Sequence, residues 1–154
     1  MLHAGLDLSR HRLDVHLLAE DGTTLGVTTA PPDRDGLRGL VDSVAGTHGK
    51  TEKVLAVIES MNGARFVHDT LELHGWSVEI ADARKVKGLA PLACKTDKID
   101  ARVLAELSRR DLVPAIWLPD PEVRKERELA RFRLLCRHRH SLRYAEDVIM
   151  PSFL

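Results

Sequence analysis

The sequence feature that most constrains the fold is an uninterrupted apolar run, VLAVI, at residues 54–58. A strand that is apolar on both sides is typical of a parallel sheet that helices cover on both faces. The run ends at Glu59, and the turn residues Asn62 and Gly63 follow it. The chain is therefore expected to belong to the α/β class, with this segment as a central strand.

Three shorter strands are predicted before this run. Apolar residues alternate with others from His3 to Ser9 and again in Leu13–Leu17, and Thr23–Thr29 is rich in β-forming residues. Polar breaks at residues 9–12 and 20–22 indicate hairpin turns between the three segments. We therefore expect the chain to open with three antiparallel strands.

The remaining elements are predicted from helical spacing and turn residues. Asp33 is expected to cap a helix from about Arg34 to Ala45, which Gly46 and Gly49 would stop. The later segments are a helix over 64–74, a strand over 77–81, a basic helix or loop over 84–92, a helix from Thr96 to about Arg110, and a last helix that starts at Asp120–Pro121 and runs to about Asp147. The order βββαβαβ is that of the ribonuclease H-like fold, a mixed five-stranded sheet flanked by helices, here followed by a long C-terminal helix.

Length and composition suit one intracellular domain with a short extension. The chain has 154 residues and two cysteines without metal-binding spacing, and no apolar run approaches the roughly 20 residues that span a bilayer. We expect a cytoplasmic protein without a membrane partner. Residues 1–115 are predicted to form the domain, and residues 116–154 a connector and the start of a coiled-coil helix, which would give a homodimer or a higher oligomer.

The net charge is zero, but the charges are unevenly distributed. Residues 1–83 contain 7 Lys/Arg and 13 Asp/Glu, whereas residues 84–110 contain 8 and 3, and residues 124–143 contain 8 and 2. Basic segments beside an acidic body favour a polyanionic partner, although solvated helix faces would give the same pattern. The candidate contacts to nucleic-acid phosphates are Lys85, Lys87, Lys95, Lys98 and Arg102.

Four carboxylates form the candidate metal site. Asp7 interrupts the first strand and Glu59 ends the fourth, and these two strands are neighbours in the ribonuclease H-like sheet. Asp97 and Asp100 are three residues apart on a predicted helix, so they would share one face of it. Four carboxylates brought together would suit Mg²⁺ or Mn²⁺, and a pair of such ions can activate a water or hydroxyl against a phosphodiester.

Each of these carboxylates also has an ordinary structural explanation. Asp97 suits a helix start, Asp100 could pair with a neighbour on its helix, and Asp7 could pair with an arginine. Glu59 could be a surface group at a strand end. Their coincidence at the expected positions of one topology favours the metal site.

The sequence resembles the N-terminal DEDD domain of the IS110-type transposases, a RuvC-like module. The matching stretches are GLDLSRHRLDVHLLAEDG, VLAVIESMNGARF, ADARKVKGLAPLACKTDKIDARVLAEL and PDPEVRKERELARFRLL. The resemblance implies that Asp7, Glu59, Asp97 and Asp100 are the family's four acidic catalytic residues, which coordinate Mg²⁺. It also implies DNA as the substrate and a structured guide RNA as a partner in strand exchange.

The family's usual full-length protein continues into a second domain with a catalytic serine, which the sequence up to Leu154 does not contain. We therefore expect a fragment or truncated form that binds metal and nucleic acid but does not complete transposition alone. One alternative is a non-catalytic module for nucleic-acid binding and dimerisation. Another is half of an actin-like or sugar-kinase ATPase, because GLDLS resembles the first phosphate loop of that superfamily, but a second loop of the Asp-Gly-Thr type is missing.

Overall fold

The computed structural model describes residues 1–93 and 100–149. The chain divides into two compact units, Met1–Ile116 and Trp117–Leu154, and the strands described all belong to the first. The elements are β1 (Leu2–Leu8), β2 (Leu13–Ala19), β3 (Thr24–Ala30), α1 (Arg34–His48), β4 (Val54–Glu59), α2 (Ala64–Leu73), β5 (Ser77–Ala81), α3 (Ala83–Ala93), α4 (Ala101–Arg109) and α5 (Pro121–Ile149).

The strands form a mixed five-stranded sheet in the order β3-β2-β1-β4-β5. β1 pairs antiparallel with β2 and parallel with β4, and β4 pairs parallel with β5. The α/β class and the ribonuclease H-like arrangement predicted from the element order are confirmed. The adjacency of the first and fourth strands, on which the site prediction depends, is therefore present.

Helices cover both faces of this sheet, as the apolar central strand requires. On one face α4 lies against β1, where Nδ1 of the buried His3 lies 2.9 Å from Oγ of Ser108. On the other face Leu8 lies beside Gly63, which directly precedes α2. Because successive residues of a strand point to opposite faces, the odd-numbered residues of β1 face α4 and the even-numbered ones face the other layer.

The core under α3 and α4 is a cluster of fully buried apolar side chains. α4 supplies Val103, Leu104 and Leu107 to this cluster, and β4, β5 and α3 supply Val57, Ala81 and Val86 in turn. At about 25 cal/mol for each Å² of apolar surface removed from water, such burial is the main force that holds a helix on a sheet. The cluster therefore fixes α4 relative to the ends of β4 and β5.

Two helix boundaries differ from the sequence prediction. α1 runs through Gly46 to His48, since one glycine inside a helix costs only about 1 kcal/mol, and it ends at Gly49, whose φ is +98°. α4 begins at Ala101, so the prediction that Asp100 lies inside a helix starting at Thr96 was wrong for Asp100. Asp100 has extended backbone angles, φ −129° and ψ 177°, and caps the helix instead.

The second unit is dominated by α5, which has 29 residues. Apolar side chains of its central part are half-exposed or more: Leu129, Phe132, Leu134 and Leu135. The coiled-coil or dimer contact expected of this helix stays a prediction. In the part of the chain described, no helix combines the length and the apolar character that a membrane span requires.

Candidate metal and nucleic-acid site

The position of α4 depends on a very close approach to β1 at Gly5. A Cβ atom built on Gly5 would lie 1.7 Å from the carbonyl oxygen of Ala101 and 2.5 Å from the backbone nitrogen of Ala105. No other residue type leaves room for helix backbone at this distance. Glycine at position 5 thus allows the first turn of α4 to lie directly on the central strand.

The direction of α4 brings its N-terminus to the carboxyl end of β1. Ser108, near the end of the helix, contacts His3, whereas Ala101, its first residue, lies over Gly5. Asp7 is two residues beyond Gly5 and therefore points to the same face of the sheet. Asp7 and Asp100 consequently lie at the same edge of the sheet.

Asp7 and Glu59 come together at the ends of two neighbouring parallel strands. Leu6 pairs with Ile58 in the register, so the next residues of the two strands are Asp7 and Glu59, on strands about 5 Å apart. Glu59 shares the α4 face because Val57, two residues earlier, belongs to the core under α4. Asp7 lies one residue before the end of β1.

The electrostatics of Glu59 reflect this neighbourhood. Partial burial raises the pKa of Glu59, and the negative charge of Asp7 raises it further, while the ammonium group of Lys87 acts in the opposite direction. Two carboxylates that disfavour each other's charge would be relieved by a cation between them. The pair is thus suited to a divalent metal ion.

Asp100 is held at the start of α4 by its own backbone. Its Oδ1 accepts hydrogen bonds from the N–H groups of Arg102 at 3.0 Å and Val103 at 3.1 Å. Asp97 lies outside the described residues, so its position relative to Asp100 stays a prediction. Among the residues that the structure describes, no three Asp, Glu, His or Cys side chains already form a group able to hold a metal ion.

Two polar side chains on β2, which were not predicted as site residues, share this face. Asp14 pairs with Asp7 in the register and His16 pairs with Gly5. Burial lowers the pKa of His16, the charge of Arg102 lowers it further, and Asp100 acts in the opposite direction. The alternation of polar residues with Leu13, Val15 and Leu17 would have revealed that both positions share one face.

The predicted basic contacts are distributed around the carboxylates. Lys87 on α3 is close enough to Glu59 to influence its pKa, and Arg102 on α4 does the same for His16. Lys85 is exposed in the first turn of α3, where its N–H donates to Asp82. Lys95 and Lys98 lie outside the described residues.

Comparisons with known proteins place the chain in a family. A sequence model of the IS110-type DEDD family, described as "Transposase", matches residues 4–143, which is most of the chain. No curated protein matches significantly. Among solved structures, RuvC from Thermus thermophilus aligns with a TM-score of 0.44 and 13% identity over 79% of this chain and 84% of that chain. Because the family match spans nearly the whole sequence, the chain belongs to the IS110-type DEDD transposases.

Proposed function

We propose that this chain is the metal-binding domain of a DNA transposase and that it acts on DNA phosphodiesters with Mg²⁺ or Mn²⁺. Asp7, Glu59, Asp97 and Asp100 would hold the metal. One observation carries the proposal: Asp7 and Glu59 lie side by side near the carboxyl ends of neighbouring parallel strands, on the face that α4 covers, and Asp100 caps the start of α4. Three of the four carboxylates thus belong to one edge of the sheet.

The donor chemistry fits a hard divalent cation. All four side chains offer carboxylate oxygens, which Mg²⁺ and Mn²⁺ prefer to the nitrogen and sulfur donors of zinc sites. The pKa of Glu59 is raised by burial and by Asp7, so a bound cation would compete with a proton there. When bound, such an ion would supply an activated water or hydroxyl and stabilise the leaving oxygen of a phosphodiester.

The residues of the chain itself would position the DNA and the carboxylates. The backbone N–H groups of α4 hold Asp100 in place. Lys87 and Arg102 would bind phosphates next to the acidic edge, by which we mean the end of the sheet that bears Asp7 and Glu59. Within a full-length enzyme, a serine-bearing domain and a guide RNA would complete strand exchange. The exposed apolar side chains of α5 would join copies of the enzyme.

Calorimetric titration with Mn²⁺ tests the site. We expect the wild-type chain to bind Mn²⁺ and Asp7→Asn or Glu59→Gln to weaken binding by about tenfold or more, a free-energy loss of about 1.4 kcal/mol. The matched control is Asp42→Asn, because Asp42 is an exposed carboxylate on α1 beside Arg38. Absence of binding by the wild type, or equal affinities for D7N and D42N, would contradict the proposal.

A cleavage assay separates a catalytic domain from a non-catalytic binding module. Branched and single-stranded DNA would be incubated with the chain and Mn²⁺, beside an Asp7→Ala variant. Wild-type cleavage that the variant loses supports catalysis by this site. A chain that binds Mn²⁺ and DNA but leaves every substrate intact would instead be a binding module that depends on a further domain for cleavage.

A further inference from the structure

The hairpin between β1 and β2 carries a compact group of cationic side chains at the acidic edge of the sheet. Arg10 and Arg12 are the only Lys or Arg residues in the first 33 positions of the sequence, and His11 lies between them. The three residues are exposed. The hairpin follows Leu8 directly, so this group, which we call the hairpin tip (Arg10–Arg12), lies at the strand end that bears Asp7.

The turn that presents the tip is closed by Ser9. Its backbone N–H donates to the carbonyl of Arg12 at 2.8 Å, and its hydroxyl donates to the same carbonyl at 2.8 Å. In return, the N–H of Arg12 donates to the Ser9 hydroxyl at 3.2 Å. These bonds use only the backbone of Arg12, so the side chains of Arg10 and Arg12 are not needed to close the turn.

The guanidinium of Arg12 is held on the face of the sheet that bears the carboxylates. Nε and Nη2 of Arg12 make a two-pronged contact with Asp14, at 2.8 and 2.9 Å. Asp14 lies directly opposite Asp7, and like charges in that position repel unless one of them is neutralised. Arg12 thus neutralises Asp14, which is not a predicted metal ligand, and the ion pair lies beside Asp7, which is one.

The contact leaves part of Arg12 able to bind a further anion. A fork to one carboxylate engages two of the five N–H donors of a guanidinium, and the Arg12 side chain is 63% exposed. An exposed ion pair contributes at most about 1 kcal/mol to stability. Lys87 stands near Glu59, so cationic groups flank the acidic edge on the β2 side and on the α3 side.

We infer that the hairpin tip is a phosphate clamp, in which Arg12, oriented by Asp14, and Arg10 bind backbone phosphates of the nucleic acid on the β2 side of the metal site. The inference rests on the proposed function. It adds the residues that hold the nucleic-acid backbone on the side of the metal site opposite Lys87. A guanidinium suits this task because its planar fork matches phosphate oxygens. Binding of this kind is independent of base sequence.

Salt-dependent DNA binding tests the clamp in the full chain. A labelled DNA duplex would be titrated at several salt concentrations with the wild type, with Arg10→Gln/Arg12→Gln and with Lys50→Gln/Lys53→Gln. The control pair removes the same charge at the opposite edge of the sheet, before β4. The binding constant K falls as salt rises, and each phosphate that the protein no longer neutralises reduces the magnitude of the slope of log K against log salt by about 0.9. We therefore expect the magnitude of the slope to decrease by about 2 for the arginine pair and by clearly less for the lysine pair.

Two further measurements keep this test apart from that of the metal site. Mn²⁺ affinity should not fall in the arginine variant, because loss of Arg12 leaves the negative charge of Asp14 beside Asp7. Arg10→Gln alone, which leaves the ion pair between Arg12 and Asp14 intact, should reduce the magnitude of the slope by about 1. Equal slopes for the arginine and lysine pairs, no wild-type DNA binding, or loss of Mn²⁺ affinity together with thermal stability would overturn the clamp. Failure of the proposed function would instead appear as unaltered Mn²⁺ binding in D7N.

Discussion

Replacing Gly5 by alanine tests the packing that brings Asp100 to the acidic edge. The added Cβ would lie 1.7 Å from the carbonyl oxygen of Ala101, whereas real Cβ atoms essentially never come within 3.0 Å of a neighbour, so α4 must retreat by more than about 1 Å. The Cβ position is fixed by the strand backbone and the atoms that it meets are backbone atoms of α4, so no change of rotamer relieves the clash. A gap of that size forfeits about a quarter to a half of the dispersion energy between the atoms that it separates.

We expect the Gly5→Ala variant to lose about 3 kcal/mol of the free energy of unfolding, the upper end of the usual cost of overpacking. The loss would be measured by urea denaturation followed through tryptophan fluorescence, since Trp76 is buried in the first unit. Mn²⁺ affinity should fall as well, because α4 carries Asp100.

Gly39→Ala is the matched control for this substitution. Gly39 lies in α1 with open space around it, so alanine there should leave stability equal or raise it by up to about 1 kcal/mol. A Gly5→Ala variant within about 0.5 kcal/mol of the wild type would refute the close approach of α4 to β1, because overpacking a well-packed core typically costs about 1–3 kcal/mol.

Two further substitutions in α4 test its ion pairs and its core. Hydrogen bonds from Arg109 and Arg110 lower the pKa of Glu106 to about 2, below its ordinary 4.5, so the ionised form stabilises the fold above pH 4.5 and this contribution is lost as the pH falls towards 2. Glu106→Gln should therefore cost about 1–2 kcal/mol of the free energy of unfolding near neutral pH, a figure reduced for solvent screening of the exposed Arg110. The variant should also lose less stability than the wild type between pH 4.5 and 2. The same dependence of stability on acid pH in both proteins, measured by urea denaturation, would contradict this. Leu104→Ala should cost about 3 kcal/mol, because Leu104 is fully buried in the same cluster as Val57. A loss below about 1 kcal/mol in the same assay would show that the core under α4 is loosely packed.

The strands were predictable because their signals are local. The apolar run at residues 54–58 and the alternation in the first two strands report burial on two faces or on one, whatever the rest of the chain does. The element order then predicted that β1 and β4 are neighbours, and the register confirms it. The fold class and the proximity of Asp7 to Glu59 could therefore be inferred from the sequence.

The start of α4 was not predictable from helical spacing. Residues on both sides of Asp100 suit a helix, and only the competition between the helix and the side-chain hydrogen bonds of Asp100 decides where it begins. The proposed pairing of Asp97 with Asp100 on one helix face assumed the earlier start. Whether Asp97 completes the set of carboxylates stays a prediction.

Packing between distant segments set how the helix and the hairpin lie around the carboxylates. The close approach of Gly5 to Ala101 joins residues nearly a hundred positions apart, and no local pattern carries such a distance. The ion pair between Arg12 and Asp14 likewise lies beside the predicted metal site only because the strand register places Asp14 opposite Asp7. Side-chain periodicity can be read along the chain, whereas the spacing between elements depends on packing. The acidic residues could therefore be identified from the sequence, but only the tertiary structure determined how they lie relative to one another.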